Sequence, residues 1–287
     1  MVCDMIMARL LTILLLIAGA WLQAGAQAYM TWVDSADAAI ARADWMRAET
    51  MILGALRTDP ANYNNSLLLS NLATIQRKQG RLSESINNYT LALAITPNAV
   101  TLLRNRGEAL LEADSLERAA ADFTRVAELD ERDYYSRYYL FQIALEQGDL
   151  NAARQLCEQL GRIDGRSADT KFARALLAKA EGRTDDAIAA FTALIEKEPT
   201  AELLSHRAEC HLAAEHYGSA LTDINEAISL SRESAYLYLI KAKIKAATFE
   251  IDEARYCIDL AVRYGADRAA AERMVGVQSS EGTSGKR

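Results

Sequence analysis

Between Ser167 and Thr200 the apolar positions fall on one face of two short helices. Ala175 is the small residue of the first, Ala187 that of the second, and Phe191 and Leu194 follow Ala187 on its own face. Glu181-Gly182-Arg183 reads as the tight turn between them and Pro199 as the stop. Small residues at Ala175 and Ala187 let the two helices approach closely, and Phe191 and Leu194 fill the space beside that contact. A pair this short cannot bury its apolar face alone, so the pattern demands neighbours of the same kind.

The chain supplies them. Residues equivalent to Ala187 recur as Ala48, Ser85, Ala119, Ala153, Ala220 and Ala254, at steps of 37, 34, 34, 34, 33 and 34 along the series. Four residues after each come Ile52, Tyr89, Phe123, Cys157, Phe191, Ile224 and Ile258, and twelve before each come Ala36, Ala73, Gly107, Phe141, Ala175, Ala208 and Ala242. The position seven after is apolar throughout, from Ala55 to Ala261. The chain's 3 prolines, Pro60, Pro97 and Pro199, all lie twelve residues after one of these small residues. There they end second helices and stay out of helix interiors. Gly80, Gly148 and Gly182 share one offset in the inter-helix turn, where a positive φ is needed at least cost.

This helix–turn–helix period, with its small and aromatic slots, resembles the tetratricopeptide repeat. The resemblance runs from about Tyr29 to Ala266 and implies an all-α fold, a right-handed superhelical solenoid of seven antiparallel helix pairs. The match is uneven in two places. The first repeat has a short first helix and a three-residue insertion before the next. The repeat around Ala153 puts Phe141 where the others have Ala or Gly, and exits through Gly161-Arg162-Ile163-Asp164-Gly165 without a proline. A local change of superhelical pitch is expected there, and a hinge with fast hydrogen exchange around Arg162 to Ser167.

The ends differ from the array. Arg9, the apolar run Leu10 to Ala18 and the small-x-small triplet Ala26-Gln27-Ala28 read as a secretory signal peptide over 1–28, with a mature chain from Tyr29. The run is short for a membrane span, so no stable insertion is expected after cleavage; the alternative is an N-terminal anchor. Residues 267–275 read as a capping helix and 276–287 as a disordered tail. With 51% hydrophobic residues and a formal net charge of −7, the composition suits an Ala- and Leu-rich helical protein and argues against a broad nucleic-acid footprint.

Candidate chemistry follows from the resemblance. First helices of tetratricopeptide arrays line the concave surface, which usually holds extended peptides or helices. The implied lining is Leu67, Ser70 and Thr74; Thr101, Arg104 and Glu108; Tyr135, Tyr138 and Gln142; Asp169, Phe172 and Leu176; Glu202, Ser205 and Glu209; Tyr236, Leu239 and Lys243. Some family members clamp a partner's terminal carboxylate with Lys and Asn. At those slots this chain has Ser70, Thr74, Asn105, Tyr135 and Tyr139, so only Asn105 fits. Tyr134-Tyr135-Ser136-Arg137-Tyr138-Tyr139 holds four of the 12 tyrosines, and Tyr135, Tyr138 and Tyr139 are expected to form one aromatic patch that Phe172, a period later, extends.

Other constellations carry less. His206 and Cys210 are one turn apart, but no zinc-type spacing accompanies them, so no metal and no cofactor is expected. Cys157, Cys210 and Cys257 lie in three different repeats, which argues against a structural disulfide. Asp185, Asp186, Asp223 and Glu226 read as carboxylates of solvated helix faces and turns. Neither a phosphate loop nor a nucleophile elbow is present, so no enzyme is expected. The reading is a non-enzymatic exported scaffold, in a bacterial periplasm or envelope, that holds another protein or an extended peptide through Arg104, Asn105, Tyr135, Tyr138, Tyr139, Gln142, Phe172 and Tyr236. The alternative is a glycan or small-ligand module built on the same tyrosines.

Overall fold

The computed structural model describes residues 23–277, and every regular element among them is an α-helix. Residues 23–41 form α1, followed by α2 (Trp45–Thr58), α3 (Asn65–Lys78), α4 (Leu82–Ile95), α5 (Val100–Glu112), α6 (Leu116–Leu129) and α7 (Tyr134–Glu146). Then come α8 (Leu150–Asp164), α9 (Ala168–Ala180), α10 (Thr184–Ile195), α11 (Ala201–Ala213), α12 (Tyr217–Leu230), α13 (Ala235–Ala247), α14 (Ile251–Arg263) and α15 (Arg268–Val275). Helix pairs form as α1–α2, α3–α4 and α5–α6 in the first part of the chain and as α9–α10, α11–α12 and α13–α14 in the second, and α15 packs on α13 and α14. The chain divides into two compact units, Met1–Leu140 and Phe141–Arg287, with the division inside α7. That division lies one helix before the Gly161 to Gly165 exit. At the exit, Asp164 accepts from Arg166 N and Ser167 N, and Arg174 donates to the Gly165 carbonyl.

Close helix approach explains which residues recur. Ala48, Ser85, Ala119, Ala153, Ala187, Ala220 and Ala254 are all fully buried, as are Ala36, Ala73, Phe141, Ala175, Ala208 and Ala242 on the first helices. The larger residue one turn on, from Ile52 to Ile258, is buried in every repeat. Where the first helix carries bulky Phe141, that slot on the second helix shrinks to Cys157, and both side chains are buried. Volume is exchanged between the two positions rather than added, which a close-packed interior tolerates best. Gly107 is the opposite case. A Cβ there would stand 2.8 Å from the Phe123 ring, because that ring leans into the first helix to stack on Tyr139 at 4.7 Å between centroids.

Each pair is joined by a three-residue turn whose middle residue has a positive φ: Ala43, Gly80, Asp114, Gly148, Gly182, Glu215 and Phe249. The residue after it donates its N–H five positions back, as Arg81 does to Gln76 and Glu250 to Lys245. This is the left-handed helix C-cap that satisfies the last carbonyls. Glycine therefore marks the geometry in three turns, and four turns adopt it without glycine.

Candidate partner-binding surface

The surface is built on the first helices. Their leading positions are exposed in turn: Leu67, Thr101 and Tyr135 in the first compact unit, Asp169, Glu202 and Tyr236 in the second. One turn on, the side chains sink. Ser70, Arg104 and Tyr138 are half-buried, and so is Phe172, whereas Ser205 is buried outright. Ser205 and Leu239, expected in the lining, belong to the interior instead, because their Cβ directions carry them toward the neighbouring helix. Asn105 is half-buried and Gln142 exposed.

The tyrosine run forms a structure of its own at the start of α7. Tyr134 stacks on Tyr138 with centroids 6.2 Å apart and meets the edge of Tyr135 at 6.1 Å. The Arg104 guanidinium lies 5.9 Å from the centroid of Tyr135 and ion-pairs with Asp133. Asp133 in turn accepts the backbone N–H of Ser136 at 2.7 Å, capping the helix that carries the rings. Arg137 points the other way and donates to the carbonyls of Ala127, Asp130 and Asp133. Tyr135 is 60% exposed, and the others support it. The expected trio of Tyr135, Tyr138 and Tyr139 is thus redrawn. Tyr139 stacks on buried Phe123, with burial raising its phenol pKa, and Tyr134 takes its place in the patch.

In the second compact unit the polar centre of this face is Glu209. Its carboxylate is reached by the Lys179 ammonium, by Tyr236 Oη at 2.9 Å and by His206 Nδ1 at 3.4 Å. Burial opposes its ionisation, but these three partners prevail and hold its pKa at about 2. Tyr236 is therefore committed to Glu209, and its phenol is raised by burial and by that charge. Phe172 packs against Phe191 and His206 at 6.2 and 5.7 Å, so its half-buried ring is seated on a core cluster and only part of it faces outward. His206 stacks on Phe191, and Cys210 is buried in the same cluster, its thiol pushed up to about 11 by burial. The two do not present a shared metal face. All three described cysteines are buried free thiols.

Two ion pairs correct the reading of Asp223 as solvated. Arg207 grips Asp223 with two bonds of 2.8 and 2.7 Å, and Arg106 grips Asp122 with two of 2.7 and 2.6 Å; both carboxylates are buried. Each arginine also donates to a threonine of the preceding second helix, Thr192 or Thr90. The legible signal was an Arg and an Asp sixteen residues apart at the same repeat positions twice.

Two clefts open on this face at equivalent places. One, of about 420 Å³, lies between the starts of α3 and α5 and includes Leu67, Ser70, Thr96 and Thr101. The other, of about 340 Å³, lies between the starts of α9 and α11, where Asp169, Phe172, Glu198 and Glu202 occupy the same repeat positions.

The tetratricopeptide repeat family model matches residues 70–134, 104–167 and 172–236, more than half of the chain, and the chain belongs to that family. Among solved structures it is similar to a tetratricopeptide repeat protein from Parabacteroides merdae, with 26% identity over 87% of this chain and 98% of that one and a TM-score of 0.79. The fold also matches the Cut9–Hcn1 heterotetramer of APC/C, at 12% identity and a TM-score of 0.64, over 85% of this chain and 55% of that one. Yeast Tom70 matches at 18% identity and a TM-score of 0.53, over 80% of this chain and 49% of that one. Proteins of this family are generally non-enzymatic scaffolds that bind proteins or peptides.

Proposed function

We propose that this protein is an exported adaptor that holds an extended segment of another protein against its first-helix surface, with Tyr135 as the anchor in the first compact unit. The observation that carries the reading is the construction around Tyr135. An exposed ring is fixed by Tyr134 on one side and by Arg104 on the other, and Arg104 is itself held by Asp133. A rigid, amphipathic side chain of this kind binds at small entropic cost. At the position of Tyr135 other repeats carry Leu67, Thr101, Asp169, Glu202 or Tyr236, so the repeat itself does not demand an aromatic there.

Export is supported by repeat register. Tyr29 falls nineteen residues before Ala48, the offset at which α5, α7, α9, α11 and α13 begin. Residues 23–28 are exposed without exception, whereas Tyr29 is buried and donates to Asn65 Oδ1 at 3.1 Å. A chain cut after Ala28 keeps the complete first repeat and loses none of its core. Residues 1–22 lie outside the described residues, and no described helix is long and apolar enough to cross a membrane. We place the processed protein in a bacterial cell envelope.

The test is in-cell photocrosslinking with a photoreactive residue at position 135. Capture of one protein, abolished by Arg104→Ala and Tyr134→Ala in the same background, supports the adaptor. A folded protein that captures nothing above background refutes it, and binding of soluble glycans instead would assign the tyrosines to sugar stacking. Intact mass of the purified envelope protein reads the cleavage after Ala28 directly.

A further inference from the structure

We infer that the cleft between the starts of α9 and α11 holds a basic side chain, Lys or Arg, of the bound segment; this rests on the adaptor reading and specifies the chemistry of its partner. The cleft has an apolar floor of Phe172, Leu194 and Leu203. Asp169, Glu198 and Glu202 stand around it, and none of the three makes a side-chain hydrogen bond or ion pair among the described residues. Lys197 shares the rim beside Lys171, so the lining carries three carboxylates against one ammonium. Lysine and arginine have an apolar stem and a charged head, the combination that an apolar floor under a carboxylate rim accepts.

The equivalent cleft of the first compact unit supplies the control. Leu67, Thr96 and Thr101 occupy there the positions of Asp169, Glu198 and Glu202, and the same helices form around them. The repeat therefore does not need carboxylates at these three places. Asp169 and Glu202 sit in first turns, where a negative charge favours the helix, but Glu198 lies beyond the end of α10, where it does not. Three exposed carboxylates with no partner among the described residues stand at the rim of one apolar cleft, and a cationic group with an apolar stem complements both the rim and the floor.

The experiment uses the processed full-length protein and three blocked tripeptides, Gly-Lys-Gly, Gly-norleucine-Gly and Gly-Glu-Gly, followed by amide chemical shifts. The lysine probe is expected to saturate with a Kd of about 1–10 mM and to shift resonances around Asp169, Phe172 and Leu203. Norleucine and glutamate probes are expected to leave them unmoved. The variant Asp169→Asn/Glu198→Gln/Glu202→Gln should weaken the lysine response at least about fivefold, as should about 0.5 M salt. Equal responses to lysine and norleucine, or none to any probe with the fold intact by circular dichroism, overturn the inference. The two readings fail separately. A partner captured at position 135 equally by wild type and by the neutralised variant removes the basic side chain and leaves the adaptor. No capture at all removes the adaptor, whatever the tripeptides do.

Discussion

Single residues carry consequences that repetition makes legible. Ser85 stands where six repeats have alanine, is fully buried, and its hydroxyl has no hydrogen-bond partner among the described residues. Burying an unsatisfied hydroxyl is costly, so Ser85→Ala is expected to raise stability by about 1 kcal/mol, read as a shift of the urea midpoint at constant slope. Phe249 holds a φ of 62° in its turn and is 89% exposed. A left-handed backbone conformation costs a non-glycine residue about 1–2 kcal/mol. Phe249→Gly removes that strain and forfeits almost no packing. Allowing for the extra freedom of glycine in the unfolded chain, a net gain of about 0.5–1 kcal/mol is expected; an unchanged or lowered midpoint would mean that the ring is held by contacts in solution.

At the scale of elements, the polar groups between helices decide more than their number suggests. Arg207 ties α11 to α12 through Asp223 and to α10 through Thr192. Arg207→Ala strands a buried carboxylate and is expected to cost about 3 kcal/mol, while Arg207→Ala/Asp223→Ala should cost less than the single change. Glu209 links α9, α11 and α13 in the same way, and its pKa gives the link a pH signature. The folded value of about 2 lies below the ordinary 4.5, so its contribution is present above about pH 4.5 and is lost as pH falls toward 2. With the side chain 21% exposed, a loss of about 2–3 kcal/mol is expected across that window. Glu209→Gln should be less stable at neutral pH and flatter in acid; a wild-type slope in the variant would place the effect elsewhere.

For the molecule as a whole, the repeats have no common centre, so each end must be closed separately. α15 does this at the C-terminal end, where Ala271 and Val277 complete a cluster with Leu239, Ala242, Cys257, Ile258 and Ala261. Truncation after Ala266 uncovers that cluster. It is expected to lower stability by about 2 kcal/mol from lost apolar burial and to promote self-association, both measurable by denaturation and light scattering. A truncated chain as stable and monodisperse as the full one would show that α14 closes the array itself.

How much of this could be read from the chain depends on the physical origin of each feature. Helix pairs, their phase and their small-against-large contacts were legible, because close packing of two helices permits few residue types and the chain states the solution seven times. Even the departure at Phe141 comes with its compensation, since the matching slot is Cys157. Four of the seven turns were hidden, because a residue such as Glu215 or Phe249 adopts a positive φ only when the flanking helices impose it. The surface was legible in outline alone. Helical spacing put Tyr135, Tyr138 and Tyr139 within one turn, but it could not see that Phe123 of the preceding helix draws Tyr139 inward and leaves Tyr134 to complete the cluster. Asp223 looked solvated for a similar reason, because the arginine that buries it comes from another helix. The sequence by itself determined the repeat, its register and its core, which depend on periodic volume along one chain. Only the tertiary structure decided which polar and aromatic side chains remain available to a partner, because that depends on what the neighbouring helices have already engaged.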